Sequence, residues 1–233
     1  MKIALLGYGR MGKSIEVIAL RRHHTISLKV SDSTSNFDFS NTDVAIDFSI
    51  PKVAVSNIKK ALDAGVPVIS GTTGWLDQYN EILEYCKSKN GTFLYASNFS
   101  LSVNIFFEIN QRLSRLMTTV DGYDTEIEEI HHTQKLDAPS GTAITLAEHI
   151  IENSNYKTWT LGTPKSDEIH IDTKRIENVP GTHEITYNSE IDTISIKHTA
   201  HSRQGFAMGA VIAAEWIKDK KGAFSMKDVL NIG

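Results

Sequence analysis

The sequence predicts an α/β protein in two parts. The first is an N-terminal Rossmann-like dinucleotide-binding domain with a parallel sheet. The second is an α+β substrate domain with an open mixed or antiparallel sheet. Three observations carry this. Gly7-Tyr8-Gly9-Arg10-Met11-Gly12 follows directly on the apolar run Lys2 to Leu6, which is G-x-G-x-x-G in the strand–turn–helix setting the motif requires. Strand-like and helix-like stretches then alternate to about residue 100, as in a parallel sheet built from crossovers. Beyond residue 168 the apolar residues fall at every second position, the period of antiparallel strands.

Lys2 to Leu6 reads as the first strand and Lys13 to Arg21 as the first helix. The glycines between them permit a tight turn, close approach of a pyrophosphate, and packing of helix on strand. Gly7, Tyr8, Gly9, Arg10, Met11 and Gly12 are therefore cofactor-binding candidates. Thr25 to Val30 is the second strand, ending at Ser31-Asp32. Asp32 falls about 20 residues past the last glycine, where an acidic ribose ligand is expected. Ser31 can equally hold that place, and Ser33, Thr34 and Ser35 can serve a 2′-phosphate, though no Arg follows them. The cofactor is thus NADH or NADPH, with a lean to NADH. Ser31 to Ser40 reads as a polar loop, too short for a crossover helix before the strand Val44 to Ser49.

Ser49 is placed to cap a helix with Pro51 in its first turn, running to Ala64 and ended by Gly65 and Pro67. Val66 to Ser70 is a strand, Asp77 to Lys89 a helix, Asn90-Gly91 a turn and Thr92 to Ala96 a strand. Ligands of parallel sheets bind at the carboxyl ends of the strands. Three such ends, at Asp47-Phe48-Ser49, Gly71-Thr72-Thr73 and Ala96-Ser97-Asn98-Phe99, are candidates for the nicotinamide rim. Singly each reads as a plain turn; together they make a rim.

Val103 to Met117 carries Val103, Phe106, Phe107, Leu113 and Met117 at helical spacing and leaves the first domain. The strand Tyr123 to Ile130 runs into His131-His132-Thr133-Gln134-Lys135-Leu136-Asp137-Ala138-Pro139-Ser140-Gly141-Thr142. Pro139 suits the start of a helix and Ser140 can cap it; the helix continues to Ile151. A helix start offers unpaired N–H donors to an anion. Ser140, Gly141 and Thr142 would present them, and Lys135 adds a full positive charge. The segment reads as a pocket for a small substrate bearing carboxylates. The plainer readings are a well-capped helix, one packed histidine of a pair that diverges on a strand, and a solvated Lys135–Asp137 pair. The density of chemistry in one short segment tips the balance toward the pocket. Glu168 to Asp172, His183 to Tyr187 and Asp192 to Lys197 read as antiparallel strands with a turn at Asn188-Ser189. Phe206 to Lys218 is an apolar helix rich in small residues, suited to pack back on the first domain.

Composition narrows the classes. The 233 residues carry a net charge of −4, which gives no electrostatic case for nucleic acid or an anionic membrane. No run approaches the ~18 apolar residues of a membrane span, and the N-terminal apolar run is too short for a signal peptide. The single cysteine, Cys86, cannot form an intramolecular disulfide and suits a reducing cytoplasm. Adjacent His131 and His132 diverge, and no H-E-x-x-H accompanies them, so no metal is expected.

These residues resemble the dihydrodipicolinate (4-hydroxy-tetrahydrodipicolinate) reductase family. The resemblance runs through the Gly7–Gly12 loop, Gly71-Thr72-Thr73-Gly74, Ala96-Ser97-Asn98-Phe99-Ser100 and the His131–Ala143 signature. Pro180-Gly181-Thr182-His183-Glu184, His198-Thr199-Ala200-His201-Ser202-Arg203 and Phe206-Ala207 complete it. The cofactor loop is one residue shorter than in some members, and Ser102 stands where many carry Gly. The resemblance implies reduction of a cyclic dicarboxylate by NAD(P)H in lysine and diaminopimelate biosynthesis, in the cytoplasm, by a homotetramer assembled through substrate-domain sheets. It implies a cofactor domain of residues 1–100 plus 206–233 and a substrate domain of residues 101–205. It implies His131 as proton donor, Lys135 as second donor or carboxylate clamp, and His132, Gly141 and Thr142 as substrate ligands. The alternative reading is a non-catalytic NAD(P)-sensing regulatory protein, which would need the glycine loop and not the His131–Lys135 constellation.

Overall fold

The computed structural model describes residues 1–31, 37–202 and 204–232. Asp32, Ser33, Thr34, Ser35 and Arg203, singled out above, lie outside the described residues. The chain forms two compact units, Met1–Leu101 with Gln204–Gly233, and Ser102–Arg203.

The first unit contains the strands β1 (Lys2–Leu6), β2 (Thr25–Val30), β3 (Val44–Asp47), β4 (Val68–Ser70) and β5 (Thr92–Tyr95). Its helices so far are α1 (Arg10–Arg21), α2 (Pro51–Asp63) and α3 (Tyr79–Ser88). Successive side chains of β1 enter different cores. Ile3 and Leu5 join Ile15 and Ile18 of α1, whereas Ala4 and Leu6 join Ile58 and Leu62 of α2. A strand buried on both faces reads as a continuous apolar run, as Lys2–Leu6 does. The chain then leaves this unit through α4 (Leu101–Met117) and later returns.

The second unit is built on β6 (Asp124–His131), α5 (Gly141–Ile151), β7 (Thr158–Thr160), β8 (Glu168–Arg175), β9 (Gly181–Asn188) and β10 (Thr193–Ala200). Its sheet order is β10-β9-β6-β8-β7. β9 is antiparallel to both β6 and β10. The antiparallel expectation for Glu168–Asp172 is corrected: β8 runs parallel to β6 and to β7. The chain reaches β8 through α5 and β7, a crossover long enough to restart in the same direction, and alternation does not encode direction. Phe106 of α4 and Ala143, Leu146, Ala147 and Ile150 of α5 cover one face of this sheet, over Ile127, Ile169, Ile171 and Ile185. Lys174–Glu128 and Lys197–Glu184 are cross-strand ion pairs on the sheet.

The chain re-enters the first unit as α6 (Gln204–Ile217), β11 (Gly222–Phe224) and α7 (Met226–Leu230). The order β11-β5-β4-β3-β1-β2 makes a six-stranded sheet, and every pairing in it is parallel. Ala207, Ala210, Val211, Ala213, Ala214 and Ile217 of α6 are all fully buried. The small residues let the helix approach closely: a Cβ on Gly209 would lie 1.7 Å from the Phe99 carbonyl oxygen.

Local expectations shift in two places. α1 begins at Arg10 rather than Lys13, so Arg10, Met11 and Gly12 form its first turn. Ser49 does not cap α2: the N-cap is Ile50, without a side-chain bond, because the Ser49 hydroxyl instead donates to Asp47 at 2.7 Å. The hydroxyl oxygen meanwhile accepts from Asn57 Nδ2 at 3.3 Å, so the side chain is turned toward Asp47 and Asn57.

Candidate active site

The glycine turn is shaped by contacts that side chains would prevent. Gly7 has φ +98°, and a Cβ there would lie 2.1 Å from the Phe48 carbonyl oxygen. A Cβ on Gly12 would lie 2.3 Å from the Gly7 carbonyl oxygen, whereas the Cβ position of Gly9 has open space around it. Gly7 and Tyr8 both donate their N–H groups to the Val30 carbonyl at 2.9 Å, which fixes the turn beside the end of β2. Gly9 is the N-cap of α1 and brings no side-chain acceptor, so first-turn N–H groups stay available to an anion. A cavity of about 440 Å³ opens here, lined by Gly7, Tyr8, Gly9, Ser31, Phe48 and Ser49 among others. Space at Gly9, uncapped donors and an adjoining cavity fit a dinucleotide. Tyr8 is held by a hydrogen bond to Glu16, whose carboxylate also pairs with Lys29 at 2.6 Å.

The rim turns are tied together by Asp47, a fully buried carboxylate. Its Oδ1 accepts from Ser49 Oγ at 2.7 Å and Asn57 Nδ2 at 3.1 Å. Its Oδ2 accepts from Ser70 Oγ at 3.0 Å and Thr72 Oγ1 at 2.7 Å. Burial pushes this carboxyl up from its ordinary range, and the four donors oppose that. Thr72 therefore spends its side chain on the scaffold, while Thr73 and Ser97 are exposed. Gly71 leaves room for the Phe48 ring, which a Cβ would meet at 2.3 Å. Asn98 accepts the Ser100 N–H at 2.9 Å. Ala96 and Phe99 are buried, so these two offer a ligand backbone rather than side chains.

In the second unit, β6 ends at His131. Residues 125, 127, 129 and 131 share the buried face, and the strand therefore carries Glu129 and His131 inward. His132, on the other parity, is half-buried. Glu129 is fully buried; its Oε2 accepts the Ser140 N–H at 2.9 Å and its Oε1 accepts from Arg175 Nη2 at 3.1 Å. Arg175 Nη2 also donates to the Asp137 carbonyl at 2.7 Å. Nδ1 of His131 lies 3.6 Å from Glu129 Oε2, and Nε2 of His183 lies 3.7 Å from it. Burial lowers the proton affinity of His131, and the Glu129 charge opposes this. Burial pushes His183 down to about 3, with His131 adding to the effect.

Ser140 is the N-cap of α5 and accepts the Ala143 N–H at 3.2 Å. Its hydroxyl also pairs with His183 Nε2 at 3.0 Å, so this side chain is committed to the cap. Gly141 is exposed, with open space where a Cβ would be, and Thr142 is half-buried. Their first-turn N–H groups have no intrahelical acceptor and suit a carboxylate. Lys135 Nζ is held by Asp137 at 2.7 and 2.9 Å, which keeps the Asp137 carboxyl below its usual range.

Sequence reasoning missed Glu129 and Arg175, and it took His183 only as part of a motif. The available signal was parity: Glu129 lies in step with Ile127 on a half-buried strand. Glu129, His131 and His183 offer donor atoms within 4.8 Å of one another, close enough to share a cation. Here the Ser140 N–H and hydroxyl already engage Glu129 Oε2 and His183 Nε2, so an ion drawing on both would break these two bonds. The cluster reads as a hydrogen-bond network.

A parallel Rossmann-like sheet with an uncapped glycine turn defines the class of dinucleotide-binding proteins. Two family profiles match the chain: "Dihydrodipicolinate reductase, N-terminus" over residues 16–99 and "Dihydrodipicolinate reductase, C-terminus" over residues 102–230. The 4-hydroxy-tetrahydrodipicolinate reductase of Christiangramia forsetii is 58% identical over 234 residues, covering 99% of this chain and 98% of that protein. The enzyme of the same name from Methanococcoides burtonii is 38% identical over 227 residues, covering 94% and 85%. The chain belongs to the dihydrodipicolinate reductase family. Its fold is like that of the dipicolinate-bound dihydrodipicolinate reductase from Paenisporosarcina sp. TG-14, with TM-score 0.76, 21% identity and 97% of each chain covered. Among the described residues no helix is long and apolar enough to cross a membrane.

Proposed function

We propose that the protein is a 4-hydroxy-tetrahydrodipicolinate reductase of lysine and diaminopimelate biosynthesis, using NADH or NADPH. The observation that carries the site assignment is one short segment. Within residues 131–142 a buried imidazole, an ammonium and the first turn of α5, with the N–H groups of Gly141 and Thr142 lacking intrahelical acceptors, fall together. When bound, the reduced nicotinamide supplies a hydride to the substrate ring. The protein supplies the rest: a proton for the carbon beside the one reduced, and cations or N–H groups for two carboxylates. His131 is the proton donor, since imidazole exchanges protons near neutral pH. Lys135 clamps a carboxylate and is the second candidate donor. Gly141 and Thr142 receive a carboxylate at the first turn of α5, and His132 flanks it. The glycine turn 7–12 and the rim turns 71–73 and 96–99 hold the dinucleotide, with Asp32 at the ribose.

The substrate unit presents an open sheet with edge strands β10 and β7. Uncovered edges are liabilities that assembly removes, which supports a homotetramer built through these sheets. Ile191, at the β9–β10 turn, is 92% exposed and supports the same reading. The single cysteine supports a cytoplasmic location. The test supplies NADH or NADPH and freshly made dihydrodipicolinate synthase product, and follows loss of reduced-cofactor absorbance. Oxidation with a preference between the cofactors is expected. Tight cofactor binding without oxidation would instead identify a dinucleotide sensor. His131→Gln should lower kcat by roughly 10²–10⁴-fold, and Lys135→Ala should lower kcat and raise KM. A His131→Gln enzyme with near-normal kcat would return the proton to Lys135.

A further inference from the structure

We infer that Glu129 is the positioning residue of this site: one buried carboxylate orients His131 through Nδ1 and pins the segment 132–140 that carries Lys135 and leads into α5. This rests on the reading of His131 as proton donor. Glu129 sits two residues before His131 on the inward face of β6, fully buried. A carboxylate there is stable only while its donors stay in place. Those donors are the Ser140 N–H, at the end of the signature loop, and Arg175, at the end of β8. Oε2 takes the N–H of Ser140 at 2.9 Å. Oε1 takes Arg175 Nη2 at 3.1 Å, and the same nitrogen grips the Asp137 carbonyl at 2.7 Å. The loop cannot drift without uncovering the charge.

The second role concerns the imidazole. Nδ1 of His131 is buried and has no hydrogen-bond partner among the described residues. The acceptor facing it is Glu129 Oε2 at 3.6 Å. A carboxylate on one ring nitrogen selects the tautomer protonated there and leaves the other nitrogen to exchange a proton. Nε2, beside Gly181, is that other nitrogen. The same charge favours the imidazolium before the proton leaves. The remaining groups around the ring divide: Lys135 and Arg175 oppose the cation, Asp137 assists it, and His183, 5.1 Å away between ring centroids, is itself held neutral by burial. Glu129 is the largest of the charges favouring the protonated form.

Glu129→Gln removes the charge and keeps the shape, and its amide oxygen still accepts one of the two N–H donors. Glu129→Asp keeps the charge on a shorter side chain. The assay is kcat against pH at saturating substrate and cofactor, with the His131 ring titrated by NMR in the same proteins and Tm recorded for each. A general acid works while protonated, so kcat falls as pH rises through its pKa. Without Glu129 the falling limb and the His131 titration should both move to lower pH, by roughly one to three units, the usual effect of an opposite charge at such range. Glu129→Asp should restore the limb toward the wild-type position, and dissociation constants for NADH should stay unchanged in both. A Glu129→Gln enzyme with the limb in place and only KM raised would overturn the inference and leave Glu129 as a brace. Failure of both variants to fold would overturn it in the same sense. If His131→Gln keeps near-normal kcat, the proton-donor reading itself fails, whatever Glu129 does. A kcat loss there with no titration shift in Glu129→Gln rejects this inference alone.

Discussion

Gly12→Ala separates stability from cofactor binding, because one methyl group lowers the two by different amounts. The added Cβ would lie 2.3 Å from the Gly7 carbonyl oxygen and 3.2 Å from its carbon. A carbon in ordinary contact needs roughly 1 Å more than the first distance. Either α1 backs away or the glycine turn yields. α1 is held by Ile15, Ile18 and Ala19, all buried, and a gap of about 1 Å forfeits up to half of each dispersion contact along that face. The turn, whose outer side is open at Gly9, yields instead. Replacing a helical glycine by alanine gains about 1 kcal/mol, against about 1–3 kcal/mol for the forced contact, so net stability should fall by about 2 kcal/mol or less. Cofactor affinity should suffer more. One misplaced N–H to a pyrophosphate loses about 1.5–3 kcal/mol, roughly 10- to 150-fold in Kd. Titration of NADH by calorimetry beside thermal melts reads both quantities. A folded Gly12→Ala protein with wild-type NADH affinity would refute the assignment of residues 7–12 to the dinucleotide. Gly12→Val should deepen both losses.

Three further outcomes are expected. Gly209→Ala sets the same gain of about 1 kcal/mol against a Cβ 1.7 Å from the Phe99 carbonyl oxygen; the clash should win by about 2 kcal/mol or more, and a raised urea midpoint would show that α6 does not press on that turn. Asp47→Ala strips four buried or half-buried donors of their acceptor and should cost about 3 kcal/mol or more; an unchanged Tm would remove Asp47 from the scaffold. His183 is pushed down to about 3 in the folded protein, so between there and the ordinary value near 6.5 the unfolded chain binds a proton the folded one does not. Stability should therefore fall as pH drops below about 6.5, by up to about 1.4 kcal/mol per unit from this residue. Urea unfolding of His183→Gln at pH 7 and pH 5 should show a smaller difference than the wild type, and an equal difference would assign the acid sensitivity to other groups.

The first unit was the more legible because its signals are backbone signals. A glycine turn needs glycines, a strand buried on both faces needs an apolar run, and a helix pressed on a backbone needs Ala and Gly. All three are written in residues 2–12 and 204–217. Strand direction was not legible: β8 alternates as an antiparallel strand would, yet pairs parallel to β6. β7 and β11 span only Thr158–Thr160 and Gly222–Phe224, too few residues to show a period. Ser140 was readable as a cap because its partner is three residues on. Glu129, Arg175 and His183 were not, because the hydrogen bonds that bring each into the site reach residues at least eleven positions away. Local pattern reports what a residue does for its own element, and says little about what it holds across the fold.

Both units place one buried carboxylate near the carboxyl end of a strand, and the difference between the two is instructive. A carboxylate has about four acceptor positions. Asp47 fills them evenly, with Ser49 and Asn57 on one oxygen and Ser70 and Thr72 on the other. Nothing remains for a ligand or an imidazolium, so Asp47 can only fix the turns that follow β3 and β4. Glu129 receives one hydrogen bond on each oxygen among the described residues, from Arg175 and from Ser140. Its remaining capacity on Oε2 faces His131 Nδ1 at 3.6 Å and His183 Nε2 at 3.7 Å. A neutral His183 demands little of it, whereas a protonated His131 would draw fully on it. Saturation makes a scaffold of the first carboxylate. The unfilled half of the second is what suits it to the proton-donor role proposed for His131.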